Sequence, residues 1–195
     1  MKVYESPTCL SSAQVLGLPR QSREVDWYNA PLPTPLSWCI ALDPVALWFA
    51  CSLPGGGRSS STTGEFVEGL WEEDVAELFI KSPSGIYQEL NVAPSRAWWS
   101  MTLSDYRVRS DAAHRPHLLS LSTTIESSWW TVVAGFDRTS IEVPVSSESL
   151  LHVSGMWYTP QPTYLSSRPP PGVAPDYHHR ECFEAVVLSP VVTAS

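Results

Sequence analysis

The sequence predicts an all-β chain folded as an antiparallel β-sandwich, and three observations carry that expectation. Apolar residues come in runs of about five to eight instead of recurring at three and four positions, which is the period of strands and not of helices. Eighteen prolines spread along 195 residues interrupt any long helical pattern. Nine runs rich in aliphatic and aromatic residues, joined by short polar or Gly/Pro connections, repeat the spacing of sandwich strands.

In chain order, Leu36–Leu42 and Ala46–Leu53 flank Asp43-Pro44 and predict a hairpin. Both runs are apolar on successive positions, so both faces need cover and the pair belongs in the core. A turn centred on Asp43-Pro44 sets Cys39 opposite Trp48 and Leu36 opposite Cys51. Val75–Ile80 and Tyr87–Val92 follow around Lys81-Ser-Pro-Ser-Gly85, and then Ala97–Leu103. Leu118–Ile125, Trp129–Phe136, Leu150–Met156 and Cys182–Leu188 complete the set. Two stretches are loops by composition: Pro54–Gly64, expected to be mobile, and the proline-rich Ser166–Asp176, expected to be stiff and extended. Neither separates two parts able to build independent cores, so residues 1–195 are expected to form a single domain.

Twelve basic against 20 acidic residues leave a formal charge of -8, which argues against a nucleic-acid partner. The uncharged stretch Asn29–Leu42 is broken by prolines and predicts no membrane span, and the N-terminus lacks a signal-peptide pattern. Cys9, Cys39, Cys51 and Cys182 show no CxxC or zinc-type spacing and are expected to be reduced core residues. Together these features point to a cytoplasmic protein without a cofactor or metal.

The most informative segment runs from Gly69 through Ile80 to Tyr87–Pro94. Side chains alternate along a strand, so Ala76, Leu78 and Ile80 face one way with Leu90 and Val92, towards the core. Val75, Glu77 and Phe79 then share the opposite face with Tyr87, Glu89 and Asn91. Pairing symmetric about the turn sets Phe79 opposite Tyr87, Glu77 opposite Glu89 and Val75 opposite Asn91. Two facing carboxylates repel, so the arrangement calls for solvation of an outer face, for a neutralising Arg96, Arg107 or Arg109, or for a polar groove in which a ligand or shared proton relieves them.

Carboxylate and amide groups beside flat rings are what a polyhydroxylated ligand requires. Of the nine tryptophans, Trp38 and Trp48 are expected in the core, as is one member of each pair Trp98-Trp99 and Trp129-Trp130. Trp71 and one of the Trp98-Trp99 pair are the candidate platforms. Asp176, His178, His179 and Glu181 form a second cluster, but adjacent histidines on an extended chain point apart, which favours a structural role over a metal site.

Three ordered segments resemble the superfamily of family-nine-like carbohydrate-binding modules, and within it bacterial DOMON-like proteins. They are Leu70–Ile80, with its Trp and its Glu-Leu-Phe-Ile ending; Tyr87–Pro94 with Trp98 a few residues on; and Pro175–Phe183, with its Asp-Tyr-His-His core. The resemblance implies a jelly-roll or immunoglobulin-like sandwich of carbohydrate-binding-module type, non-catalytic, with a saccharide groove on one sheet. It places Trp71, Glu77, Tyr87, Glu89, Asn91 and Trp98 at the ligand and His178 in the closing motif. The family's second stacking Trp is missing from the loop before that motif, where this chain has Tyr164-Leu-Ser-Ser-Arg-Pro169.

Three other functions compete. A glycoside hydrolase could use Glu77 and Glu89 as its carboxylate pair. A haem-binding DOMON-type protein would draw on Met101, Met156 and histidine as axial ligands. A protein-interaction module would use a sheet edge or the aromatic groove.

Overall fold

A computed structural model describes residues 1–58, 64–110, 114–158 and 161–191. Two sheets of seven strands each face one another. The first has the order β14 (Val187–Pro190), β1 (Lys2–Glu5), β3 (Pro31–Leu42), β4 (Ala46–Pro54), β10 (Trp129–Asp137) and β9 (Leu118–Ile125), with β2 (Gln21–Val25) also paired to β3. The second has the order β12 (Pro162–Ser166), β11 (Leu150–Tyr158), β5 (Val75–Lys81), β6 (Tyr87–Val92), β7 (Trp98–Asp105) and β8 (Val108–Arg109), with β13 (Glu184–Ala185) paired to β11. Pairing is antiparallel except along β1, which runs parallel to both β14 and β3. Among the described residues no helix is long and apolar enough to cross a membrane.

The all-β sandwich is therefore as the sequence predicts, and eight of the nine runs each fall on one strand; the ninth, Cys182–Leu188, is instead divided between a 3-10 turn (Arg180–Cys182), β13 and β14, which pair in different sheets. Between the sheets, Leu36, Ile40, Phe49, Cys51, Trp130 and Phe136 meet Leu78, Ile80, Leu90, Val92, Trp98 and Val153 in one buried core. The hairpin β3–β4 is covered on both faces. Cys39, Ala41, Trp48 and Ala50 pack outward against Val15 of α1 (Ser12–Leu16), a single turn whose start is satisfied by a reciprocal cap between Ser11 and Gln14. Strands β1, β2, β8 and β12 and helix α1 were not legible as apolar runs. The strands among these are short or polar on one face and are fixed by pairing with their neighbours, and α1 is a single turn.

Two registers differ from the symmetric expectation. In β3–β4, Asp43 Oδ1 accepts the N–H groups of Val45 and Ala46 and so closes a turn centred on Pro44-Val45. Trp38 thus lies opposite Cys51, and Ala41 opposite Trp48. Cys39 and Cys51 belong to opposite faces of the sheet, and all four cysteines are free. In β5–β6, Gly85 at φ 96° and the bond from Ser82 N–H to Ile86 O centre the turn on Ser84. Glu77 therefore lies opposite Asn91, and Phe79 opposite Glu89, so that the carboxylates are diagonal neighbours. Of the loop Pro54–Gly64, residues 59–63 lie outside the described residues.

Candidate functional site

The outer face of the second sheet is built in rows. One row runs Ser154, Glu77, Asn91, Trp99 across β11, β5, β6 and β7, and the next runs His152, Phe79, Glu89, Met101. This face is largely covered. Trp27 from the β2–β3 connection, Leu70 from a 3-10 turn at Leu70–Glu72, and Cys182 and Phe183 from the segment before β13 close over it. Glu77 and Glu89 are consequently only 2% and 4% exposed, which rules out the solvated face as the way their repulsion is relieved.

A cavity of about 430 Å³ opens above the two rows, within the roughly 300–1,000 Å³ of small-molecule sites. Its floor is Glu77, Phe79, Glu89 and Met101. Its walls are Trp71, Met156, Tyr164 and Tyr177, and Arg107, Arg109, Asp176 and His178 stand at the rim. The carboxylates are satisfied unequally. Ser154 Oγ donates to Glu77 Oε2 at 2.7 Å, and Asn91 Nδ2 donates to Glu89 Oε1 at 2.7 Å. Glu89's own row offers only Phe79 and Met101 on either side, and Glu89 Oε2 has no partner among the described residues. Burial raises both carboxyls well above the usual carboxylate range, and the charge of Glu89 raises Glu77 further.

The arginines do not neutralise the pair by contact. Arg107 donates to Asp176 Oδ1 at 2.9 Å, and Arg109 bonds to Glu68 with its guanidinium over the Trp71 ring. Their field lowers Glu89 only as a correction to its burial and its bond from Asn91. Arg96 sits in the β6–β7 connection, away from the cavity. Asp176 also accepts the Tyr106 hydroxyl at 2.6 Å and the His178 N–H at 3.1 Å. Against burial, the Tyr106 and Arg107 bonds hold its carboxyl below the ordinary range.

Both imidazoles near the site are neutral. Burial depresses His152 to about 3, and its ring donates through Nδ1 to Tyr177 O and accepts the Ser166 hydroxyl at Nε2. Burial, then the charge of Arg107, lowers His178 to about 4. The Tyr177 hydroxyl donates to Gly155 O at 2.6 Å and accepts the Leu165 N–H, which pins the closing segment across β11 and β12.

Of the residues singled out in the sequence, Trp71, Glu77, Glu89 and His178 come together around the cavity, as does Tyr164. Tyr87 and Asn91 lie beneath, Tyr87 bonded to His178 and Asn91 to Glu89. Trp98 is corrected: it is 3% exposed, packs edge-on to Phe66 and near Phe136 in the inter-sheet core, and does not reach the cavity. Its neighbour Trp99 takes the outer face, because successive side chains alternate. Asp176 and Tyr177 belong to the Pro175–Phe183 segment that the sequence brought to notice, whereas Ser154 carries no sequence signal and would be found only from the register of β11 on β5. Among the described residues no three His, Cys, Asp or Glu side chains converge as metal ligands.

This architecture is the fold of carbohydrate-binding modules of family 9. A proposed carbohydrate-binding protein from Bacteroides uniformis superposes with a TM-score of 0.73 over 96% of this chain and 98% of its own, at 12% identity. A family 9 carbohydrate-binding module from Caldicellulosiruptor kristjanssonii in complex with glucose gives 0.63 over 100% and 99%, again at 12% identity. The same kind of module with cellotriose gives 0.64 over 100% of both chains, at 12% identity. No family model and no curated protein matches by sequence. The DOMON-like part of the resemblance finds no counterpart in these comparisons.

Proposed function

We propose that the protein is a non-catalytic module that binds a saccharide in the cavity over Glu77 and Glu89. The observation that carries this reading is the buried pair Glu77 and Glu89 on the floor of an aromatic-walled cavity, with Glu89 Oε2 left without a donor among the described residues. A sugar supplies the missing part, because its hydroxyls donate to the carboxylates while its C–H faces lie on Trp71 and Tyr164. Family 9 modules of the same fold hold glucose and cellotriose, which supports the class of ligand.

Calorimetric titration with glucose and cellotriose tests the reading, with Trp71→Ala and Glu89→Gln as variants. The expected result is saturable binding to the wild type, with the cellotriose recovered uncleaved, and a loss of about tenfold or more in each variant. Absence of binding by the wild type up to millimolar sugar, or cleavage of the cellotriose, overturns it.

A further inference from the structure

Among the described residues the carboxyls of the site lack a counter-charge. Glu77 and Glu89 lie diagonally on the cavity floor, both almost fully buried, and among the described residues neither forms an ion pair. The nearest cations are engaged elsewhere, Arg107 with Asp176 and Arg109 with Glu68. The two imidazoles at hand bond through neutral rings to Tyr87, Tyr177 and Ser166. A buried carboxyl pair without an internal cation is costly to ionise, and a positive charge brought to it stabilises the ionised form.

Resting on the saccharide reading above, we infer that the ligand is an amino sugar whose protonated amine sits on the Glu77–Glu89 floor. An ammonium group has three donors and no acceptor, which suits a floor made of carboxylate oxygens, one of them unpartnered. Charge-assisted bonds of this kind are stronger than those a hydroxyl makes. The rings of Trp71, Phe79 and Tyr164 line the same cavity and favour a cation near their faces. A neutral sugar leaves the pair without a counter-charge, and an anionic one opposes its ionisation.

Titrations with glucosamine, glucose and N-acetylglucosamine at pH 6.5 separate the cases, because the first two differ in the amine and acetylation removes its charge. Glucosamine is expected to bind about tenfold more tightly than the other two, the difference between a charge-assisted and a neutral bond. It is also expected to release protons into the buffer on binding, read from calorimetry in two buffers of different ionisation enthalpy. The advantage is expected to vanish in Glu89→Gln, and in Glu77→Gln should the first variant fail to fold. Glucose binding as tightly as glucosamine overturns this inference and leaves the saccharide reading standing. Silence from all three sugars overturns both, as does calcium stabilising the wild type but not Glu89→Gln while no sugar binds.

Discussion

Tyr87 and His178, 91 residues apart in the chain, share a hydrogen bond of 2.9 Å between the phenol oxygen and Nδ1. The Arg107 N–H donates into the same phenol oxygen at 3.0 Å, so the phenol proton is directed at Nδ1 and His178 carries its own proton on Nε2. One hydroxyl thereby orients a rim donor and fixes the loop that carries Arg107.

Tyr87→Phe keeps the buried ring and removes that hydroxyl. The Arg107 N–H and His178 Nδ1 each lose a partner, so a destabilisation of about 1–3 kcal/mol is expected. Urea denaturation checks it, and proton NMR of the imidazole is expected to show a second tautomer or a freely rotating ring. Unchanged stability and an unchanged His178 signal would show that the bond orders nothing.

The pH dependence of stability has opposing parts. His152 and His178 are depressed from 6.5 to about 3 and about 4, so their contribution is present above 6.5 and is lost as pH falls below it. Glu77 and Glu89 are raised from 4.5, so the folded state holds more protons than the unfolded one and stability falls as pH rises. Below 6.5 the two effects offset each other. Above 6.5 the carboxyls act alone among these groups, with Arg107, Asp176 and Tyr177 around them keeping their charge states. The unfolding free energy is therefore expected to decline from pH 6.5 upward, and the decline to flatten in the Glu77→Gln, Glu89→Gln double variant. A rising profile over that range, or one identical in the double variant, counts against the buried pair.

Gly155 lies on β11 next to Ser154, the residue that holds Glu77. A Cβ added there would lie 2.7 Å from the Val75 carbonyl oxygen and 2.2 Å from Leu53 Cδ2. Leu53 can turn aside, but the Val75 carbonyl belongs to the β5–β11 ladder and cannot. Gly155→Ala is expected to cost about 1–3 kcal/mol by thermal or urea denaturation.

The four cysteines differ in access. Burial pushes the Cys39 thiol up to about 11 and those of Cys51 and Cys182 up to about 12, whereas Cys9 is exposed. Thiolate is the reactive form, so native protein is expected to take up one equivalent of a thiol reagent rapidly and all four after unfolding. Rapid labelling of more than one thiol in the native state would contradict this packing.

The sequence by itself determined the class of fold, the central hairpin, the inward face of β5 and β6, and the alternation that puts Glu77, Phe79, Glu89 and Asn91 on one side. These are local properties, because the two-residue period of a strand is written in neighbouring side chains. It also brought Trp71 and the Pro175–Phe183 segment to notice. The tertiary structure decided what period cannot. The position of Gly85 in its turn moved the register by two residues and made the carboxylates diagonal, and β11 supplied Ser154 to one of them alone. Alternation left open which of Trp98 and Trp99 faced outward, and the packing of Phe66 and Phe136 placed Trp98 in the core. Above all, the covering segments took Glu77 and Glu89 out of water. Burial is set by residues distant in the chain, and burial turned two ordinary surface carboxyls into the floor of a cavity, raised above the usual carboxylate range.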